Sequence, residues 1–291
     1  MSKQVLKLGI PAGSLQGATI ELFAQAGLQV SDLKRGYLPQ IDDEQIQPIC
    51  LRAQEMSRYV ADGVLDAGIT GYDWIMENES DVVEVAELAY SKATARPATW
   101  VLAVPQESSV TRPADLAGGI VATELVNATK KYFERKNIDV KVEFSWGATE
   151  VKARLVDAIV ELTETGASLR ANELRAIDTV VTSTTRFIAN KRAWQDQFKR
   201  RKIESISILL NAAINARSRV GLKMNVKRAN LDSILKILPA EKSPTVSSLA
   251  DSDYMAVEVI IEKKVERTLV PALKRSGASG IITYPLNKFI H

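Results

Sequence analysis

The sequence predicts an α/β protein in two parts: a pair of hinged lobes with largely parallel sheets, then a smaller domain of order β-α-β-β-α-β. Two observations predict this. Short apolar strands alternate with amphipathic helices over the first half of the chain. After Gly221 the pattern changes to paired strands around two helices, the order of a split β-α-β unit.

The first strand is Val5–Ile10, running into Pro11-Ala-Gly13-Ser14 and a helix with apolar Leu15, Leu22, Phe23 and Ala26, closed by Gly27. A helix around Arg52–Ala61 leads to the strand Ala67–Ile69 and the loop Thr70-Gly71-Tyr72-Asp73, where Asp73 is placed to cap a helix starting at Trp74, which reads equally as a second anion cradle or as an ordinary structural cap. Beyond a polar segment come the strand Trp100–Val104, the strand Gly119–Thr123, the helix Asn127–Lys136 and the strand Val140–Phe144. The next unit is an apolar strand from Leu155 to Leu162, a Thr/Gly/Ser loop, and a helix over Leu169–Leu174. The chain is expected to return to the first lobe around Val180–Thr184, before the amphipathic stretch Ala193–Ala213. Lobe 1 is thus residues 1–92 with 183–215, lobe 2 is 93–182, and two crossings between them imply a hinged cleft. The last domain, 216–291, has strands at Leu222–Val226, Thr245–Leu249, Ala256–Ile261 and Gly280–Pro285, with helices at Asn230–Leu238 and Lys264–Arg275. Pro271 inside that second helix predicts a bend or a late start.

Composition narrows the chemistry. The chain has 291 residues, 46% hydrophobic and 25% charged, the profile of a soluble globular protein. A net charge of +3 gives no field for a polyanion, so Lys199-Arg200-Arg201-Lys202 reads as a solvated helix face rather than a nucleic-acid contact. No apolar run is long enough to span a membrane, and the polar start lacks a secretory signal's apolar segment. With one cysteine, Cys50, these features predict a cytoplasmic protein. The one histidine is the terminal His291, which disfavours Ser-His and Cys-His pairs and histidine metal sites. Chemistry is left to carboxylates, backbone donors, basic side chains and Mg²⁺, a cation that prefers oxygen ligands.

The most informative stretch is Asp157–Ser168. Asp157 and Glu161 stand four apart in an apolar run, an even spacing that puts both on one face of a strand. The loop after them starts a helix, whose unpaired N–H groups attract an anion. A phosphorylated sugar fits both features, the phosphate on the loop and the hydroxyls on the acids. An ordinary helix cap accounts for the loop alone equally well.

Together these segments resemble the long-form ATP phosphoribosyltransferases that begin histidine biosynthesis. The resemblance rests on Gly9-Ile-Pro-Ala-Gly-Ser-Leu15, Leu51-Arg-Ala-Gln-Glu-Met-Ser-Arg-Tyr-Val60 and Asp66-Ala-Gly-Ile-Thr-Gly-Tyr-Asp73. It continues in Trp100-Val-Leu-Ala-Val-Pro105, Gly147-Ala-Thr-Glu150, Asp157–Leu174, Lys242-Ser-Pro-Thr245 and Gly277-Ala-Ser-Gly-Ile281. It implies a catalytic part like the periplasmic binding proteins and a C-terminal ferredoxin-like regulatory domain. It also implies transfer of the phosphoribosyl group of phosphoribosyl pyrophosphate (PRPP) to N1 of ATP, with Mg²⁺ and release of pyrophosphate.

By resemblance, Thr163, Thr165, Gly166, Ala167 and Ser168 hold the sugar phosphate, and Asp157 and Glu161 engage the ribose. Gly13, Ser14, Arg52, Asp73 and Glu150 lie on the ATP side. Lys242, Ser243, Pro244, Thr245 and Ala278 lie near a histidine effector that acts as feedback inhibitor, and the assembly is a homo-hexamer. The metal ligands stay open. Three positions depart from the family's commonest pattern: Ala12 where many members carry Lys, a shorter Glu150–Asp157 run, and Glu161 for Asp. The competing function is a non-catalytic two-lobed binding protein for a phosphorylated metabolite.

Overall fold

A computed structural model describes residues 4–31, 39–90, 97–239 and 244–290. It divides into two compact units, Met1–Ser207 and Ile208–His291.

The first unit opens with β1 (Leu6–Ala12), α1 (Gln16–Ala26), β2 (Ile46–Arg52), α2 (Ala53–Ala61), β3 (Ala67–Gly71), α3 (Tyr72–Glu77) and β4 (Val83–Leu88). It continues with β5 (Ala98–Pro105), β6 (Ile120–Thr123), α4 (Val126–Arg135), β7 (Lys141–Phe144), α5 (Thr149–Lys152) and β8 (Ala158–Thr163). Then come α6 (Ala167–Ala171), β9 (Leu174–Ser183), β10 (Thr185–Ala189), α7 (Lys191–Gln195) and α8 (Gln197–Arg217), the last containing the boundary between the units.

These strands form two five-stranded sheets of order β2-β1-β3-β10-β4 and β7-β6-β8-β5-β9. In the first, β1 pairs in parallel with β2 and β3, and β10 runs antiparallel between β3 and β4. In the second, β6 is parallel to β7 and β8, while β5 is antiparallel to β8 and β9. The chain passes from the first sheet to the second between β4 and β5, and back between β9 and β10.

Two glycines close the first sheet onto its helix layer. Gly9 on β1 pairs with Gly68 on β3, and Met56 of α2 lies over both. A Cβ added at either would meet Met56 Sδ, at 2.2 Å and 2.6 Å respectively. The second sheet is covered on both faces. Trp100, Leu102 and Val104 of β5 join one core with Val121, Phe133 and Val160, whereas Val101 and Ala103 join another with Ile159, Leu169 and Leu174. That alternation is the period-two pattern of a strand packed on both sides.

The helix α3 belongs to both sheets. It follows β3, yet Trp74 and Met76 pack against the second sheet's core. Glu77 at its end accepts from the Asn127 N–H at 3.1 Å and the Ala128 N–H at 3.0 Å. One carboxylate thereby caps α4, which has no capping side chain of its own.

The basic run on α8 is partly used in folding. Lys199 pairs with Asp66 at 2.7 Å, Lys202 with Asp43 at 2.6 Å and Arg200 with Glu204 at 2.9 Å.

The second unit contains β11 (Arg219–Lys227), α9 (Leu231–Ile237), β12 (Thr245–Ser248), β13 (Tyr254–Glu262), α10 (Lys263–Arg275) and β14 (Ser279–Pro285). Its sheet has the order β12-β13-β11-β14, with antiparallel pairing throughout. This is the ferredoxin-like arrangement. The core is built from Leu222, Met224, Val226, Ile234, Val257 and Leu273. Pro271 lies within α10 rather than at its start, and the helix continues past it to Arg275.

Candidate active site

A cleft of about 550 Å³ lies between the two sheets. Its first wall is built from loops that follow parallel strands, the end of a sheet where ligands bind in α/β folds. Gly13 follows β1 with φ +86, a conformation glycine adopts at little cost. Arg52, paired with Ala12 across β1 and β2, brings Nη1 to 4.0 Å from the position a Gly13 Cβ would take. Gly13, Ser14 and Arg52 therefore stand together on this wall.

Asp73 also lines the cleft, but its carboxylate is already engaged. Trp100 Nε1 donates to Oδ2 at 2.7 Å, Ser183 Oγ to Oδ1 at 2.9 Å, and the Trp74 N–H to Oδ1 at 3.0 Å. Burial pushes its pKa up, against these donors. The expected cap at the start of α3 is thus a residue inside the first turn, binding the crossing strands together.

The opposite wall follows β6, β7 and β8. Glu161 is near the end of β8, with Glu124 after β6 and Glu150 at the start of α5. Burial, then the charge of Glu150, raises the Glu161 pKa to about 7, and the Glu124 charge adds to the rise. Burial likewise raises the Glu124 carboxyl. Three acids thus share one electrostatic environment on this wall. Among the described residues, no three acidic, histidine or cysteine side chains converge closely enough to hold a metal ion by themselves.

The bend after β8 is formed by its own side chains. Thr163 Oγ1 accepts from the Gly166 N–H at 2.7 Å, and Thr165 Oγ1 accepts weakly from the Ala167 N–H at 3.4 Å. Gly166 sits at φ +70, a left-handed position that disfavours a side chain. Ser168 Oγ donates to Glu150, which joins the bend to the neighbouring loop. The helix that follows is shorter than the sequence suggests. Glu173 takes φ +57, and Leu174 already belongs to β9.

Thr163, Thr165, Gly166, Ala167, Ser168, Glu150 and Glu161 are thus neighbours. Asp157 is not among them. It precedes β8, and Oδ2 accepts from the Ile120 N–H at 2.8 Å, at the starts of the paired strands β6 and β8. Four residues of extended chain span about 13 Å, so Glu161 is at the cleft and Asp157 near the other end of the strand. Even spacing fixed the face but not the end of the sheet.

In the second unit, Lys242 and Ser243 lie outside the described residues. Pro244 and Thr245 stand at the start of β12, an exposed edge strand. Ala278 is 1% exposed in the core, just before β14 on the opposite edge. Three strand spacings of roughly 4.8 Å separate those edges, so one chain does not gather these residues around a single ligand.

Sequence reasoning did not single out Glu124, Ser183 or Thr184, which also line the cleft. Glu124 carries the signal that marked Glu161, an acid at the end of an apolar parallel strand.

Comparison with known proteins is consistent over the whole chain. Residues 52–212 match the family model described as ATP phosphoribosyltransferase, and residues 216–288 match the HisG C-terminal domain. The ATP phosphoribosyltransferase of Chlorobaculum parvum is 55% identical over 290 residues, covering 99% of each chain. That of Solibacter usitatus is 54% identical, covering 98% of this chain and 99% of its own. Among solved structures, an ATP phosphoribosyl transferase (HisG:HisZ) complex from Thermotoga maritima aligns with a TM-score of 0.63 at 24% identity. The alignment covers 74% of this chain and all of that one, and supports the fold. With relatives this similar along nearly their full length, the chain belongs to the ATP phosphoribosyltransferase family.

Proposed function

We propose that the cleft around Glu161 is where this ATP phosphoribosyltransferase joins the phosphoribosyl group of PRPP to N1 of ATP, the first step of histidine biosynthesis. The observation that carries the reading is the Thr163–Ser168 bend directly after Glu161, with Glu161 and Glu164 lining the same cleft as Gly13, Ser14 and Arg52. On this reading the bend holds the sugar 5′-phosphate, Glu161 accepts hydrogen bonds from ribose hydroxyls, and the Arg52 wall receives ATP. Asp157 has no part in it. Glu150 acts by orienting Ser168 and by raising the proton affinity of Glu161.

The chemistry suits these groups. Positive charge develops on the sugar ring as the bond from C1′ to pyrophosphate breaks, and the cleft carboxylates stabilise it. N1 of adenine supplies the electron pair, so no protein nucleophile is needed. Enclosure between two walls excludes water, the competing nucleophile.

We take the divalent cation to be Mg²⁺. The separated carboxylates fit an ion that would be held mainly by substrate phosphate oxygens and water, with the cleft-lining Glu161 and Glu124 available as protein ligands. When bound, it neutralises charge developing on the pyrophosphate. The match of residues 216–288 to the family's C-terminal domain supports a regulatory role for the second unit, on this reading feedback inhibition by histidine within a homo-hexamer.

The test is an absorbance assay for phosphoribosyl-ATP with ATP, PRPP and Mg²⁺. Turnover that Glu161→Gln lowers, but does not abolish, while the protein stays folded supports the site. PRPP binding without turnover in the parent protein favours a non-catalytic binding protein instead.

A further inference from the structure

Arg170 is a cation with no ion-pair partner among the described residues, and it lies against the Thr163–Ser168 bend. It is exposed on α6, and its guanidinium folds back over the Thr163–Ser168 bend. Nη2 donates to the Thr165 carbonyl at 3.1 Å. Nη1 lies 2.9 Å from where a Cβ on Gly166 would stand.

The bend itself supplies little positive charge. The Gly166 and Ala167 N–H groups are directed to threonine hydroxyls, and the Ser168 hydroxyl is directed to Glu150. The helix after the bend has only five residues, too few for a strong dipole. Glu150, Glu161 and Glu164 add negative charge nearby. A dianionic phosphate placed here needs a compensating cation, and a guanidinium offers planar paired donors that match phosphate oxygens. The hydrogen bond to Thr165 holds Arg170 at the bend, with Nη1 beside Gly166.

We propose that Arg170 is a phosphate-binding residue, closing on the sugar 5′-phosphate from the side of Gly166. This rests on the reading that the bend holds that phosphate. The contact is made equally in the ground and transition states, so it lowers KM for PRPP and leaves kcat alone.

The test compares Arg170→Gln, Arg170→Lys and Thr163→Val in the full-length enzyme. Ribose 5-phosphate and pyrophosphate serve as separate inhibitors competing with PRPP. Removing one charge-assisted contact predicts a KM for PRPP about ten-fold higher in Arg170→Gln, with kcat and KM for ATP within about two-fold of the parent. Inhibition by ribose 5-phosphate weakens by a similar factor, inhibition by pyrophosphate does not, and Arg170→Lys recovers part of the loss. A fall in kcat at unchanged KM, or equal weakening of both inhibitors, overturns the assignment. If Thr163→Val weakens ribose 5-phosphate and Arg170→Gln does not, the role of Arg170 falls and the bend remains. If neither variant weakens it, the bend reading falls as well.

Discussion

Trp100 and Asp73 join the two halves of the first unit: the indole N–H on β5 donates to a carboxylate that is 5% exposed at the start of α3. A buried carboxylate stays tolerable only while its donors stay in place. Trp100→Phe keeps an aromatic ring but removes the donor, and should cost about 1–3 kcal/mol. In a unit of this size that is a fall of several degrees in Tm, about 2–4 °C per kcal/mol. Unchanged thermal unfolding would mean that the hydrogen bond contributes nothing net.

The glycine pair beneath Met56 makes a second prediction. Gly68→Ala places a methyl group 2.6 Å from Met56 Sδ, so the methionine or the strand must shift. Overpacking of this kind costs typically about 1–3 kcal/mol. Adding Met56→Ala to Gly68→Ala should restore part of the loss relative to Met56→Ala alone. Denaturant unfolding of the four proteins as a double-mutant cycle measures the coupling, and strict additivity would show that the two groups do not compete for space.

Glu161 gives a pH dependence with a definite sign. Its folded pKa of about 7 lies above the ordinary 4.5, so between those values the folded chain binds more protons than the unfolded one. Its contribution to stability is therefore present below about pH 4.5 and is lost as pH rises through 7. Glu161→Gln removes that loss, so its Tm relative to the parent should climb from pH 5 to pH 8. A difference that stays flat over this range would show that the carboxyl titrates at its ordinary value.

The same titration predicts the kinetics. An ionised carboxylate is the form that accepts two ribose hydroxyl bonds, so KM for PRPP should fall as pH rises toward about 7. PRPP phosphates titrate nearby, and Glu161→Gln serves as the control because it keeps the substrate's limb and loses the enzyme's. Identical pH profiles for parent and variant would remove Glu161 from the ribose.

Gly166→Val tests the bend. It forces a β-branched residue into φ +70 and into the space beside the Arg170 guanidinium. KM for PRPP should rise at least ten-fold, the scale of one lost charge-assisted contact. Because the position is exposed on one side, the far-ultraviolet circular dichroism spectrum should stay that of the parent. Parent-like KM with a parent-like spectrum would exclude close approach of a ligand to this backbone.

Much of the architecture was legible because its signals are local. The alternation of apolar strands and helices, and Gly27 closing α1 at φ +88, sit within short windows of sequence. β2 escaped notice because Pro48 interrupts it, which a strand tolerates only at an edge, the place β2 occupies. The site was harder. Glu161 and the bend are contiguous in sequence and could be read together, but the placement of Asp157 depends on where a strand begins. Periodicity does not reveal a strand's beginning. Glu124 becomes a partner of Glu161 only when β6 and β8 pair, a relationship between distant segments.

The helix α3 limits how the cleft can open. Seated against α2 on one side and fastened by Glu77 to the start of α4 on the other, it acts as a wedge common to both halves. Parting the walls must slide this wedge along one neighbour or detach it from the other. Either path costs packed contacts between α2 and α3 or the two hydrogen bonds of Glu77.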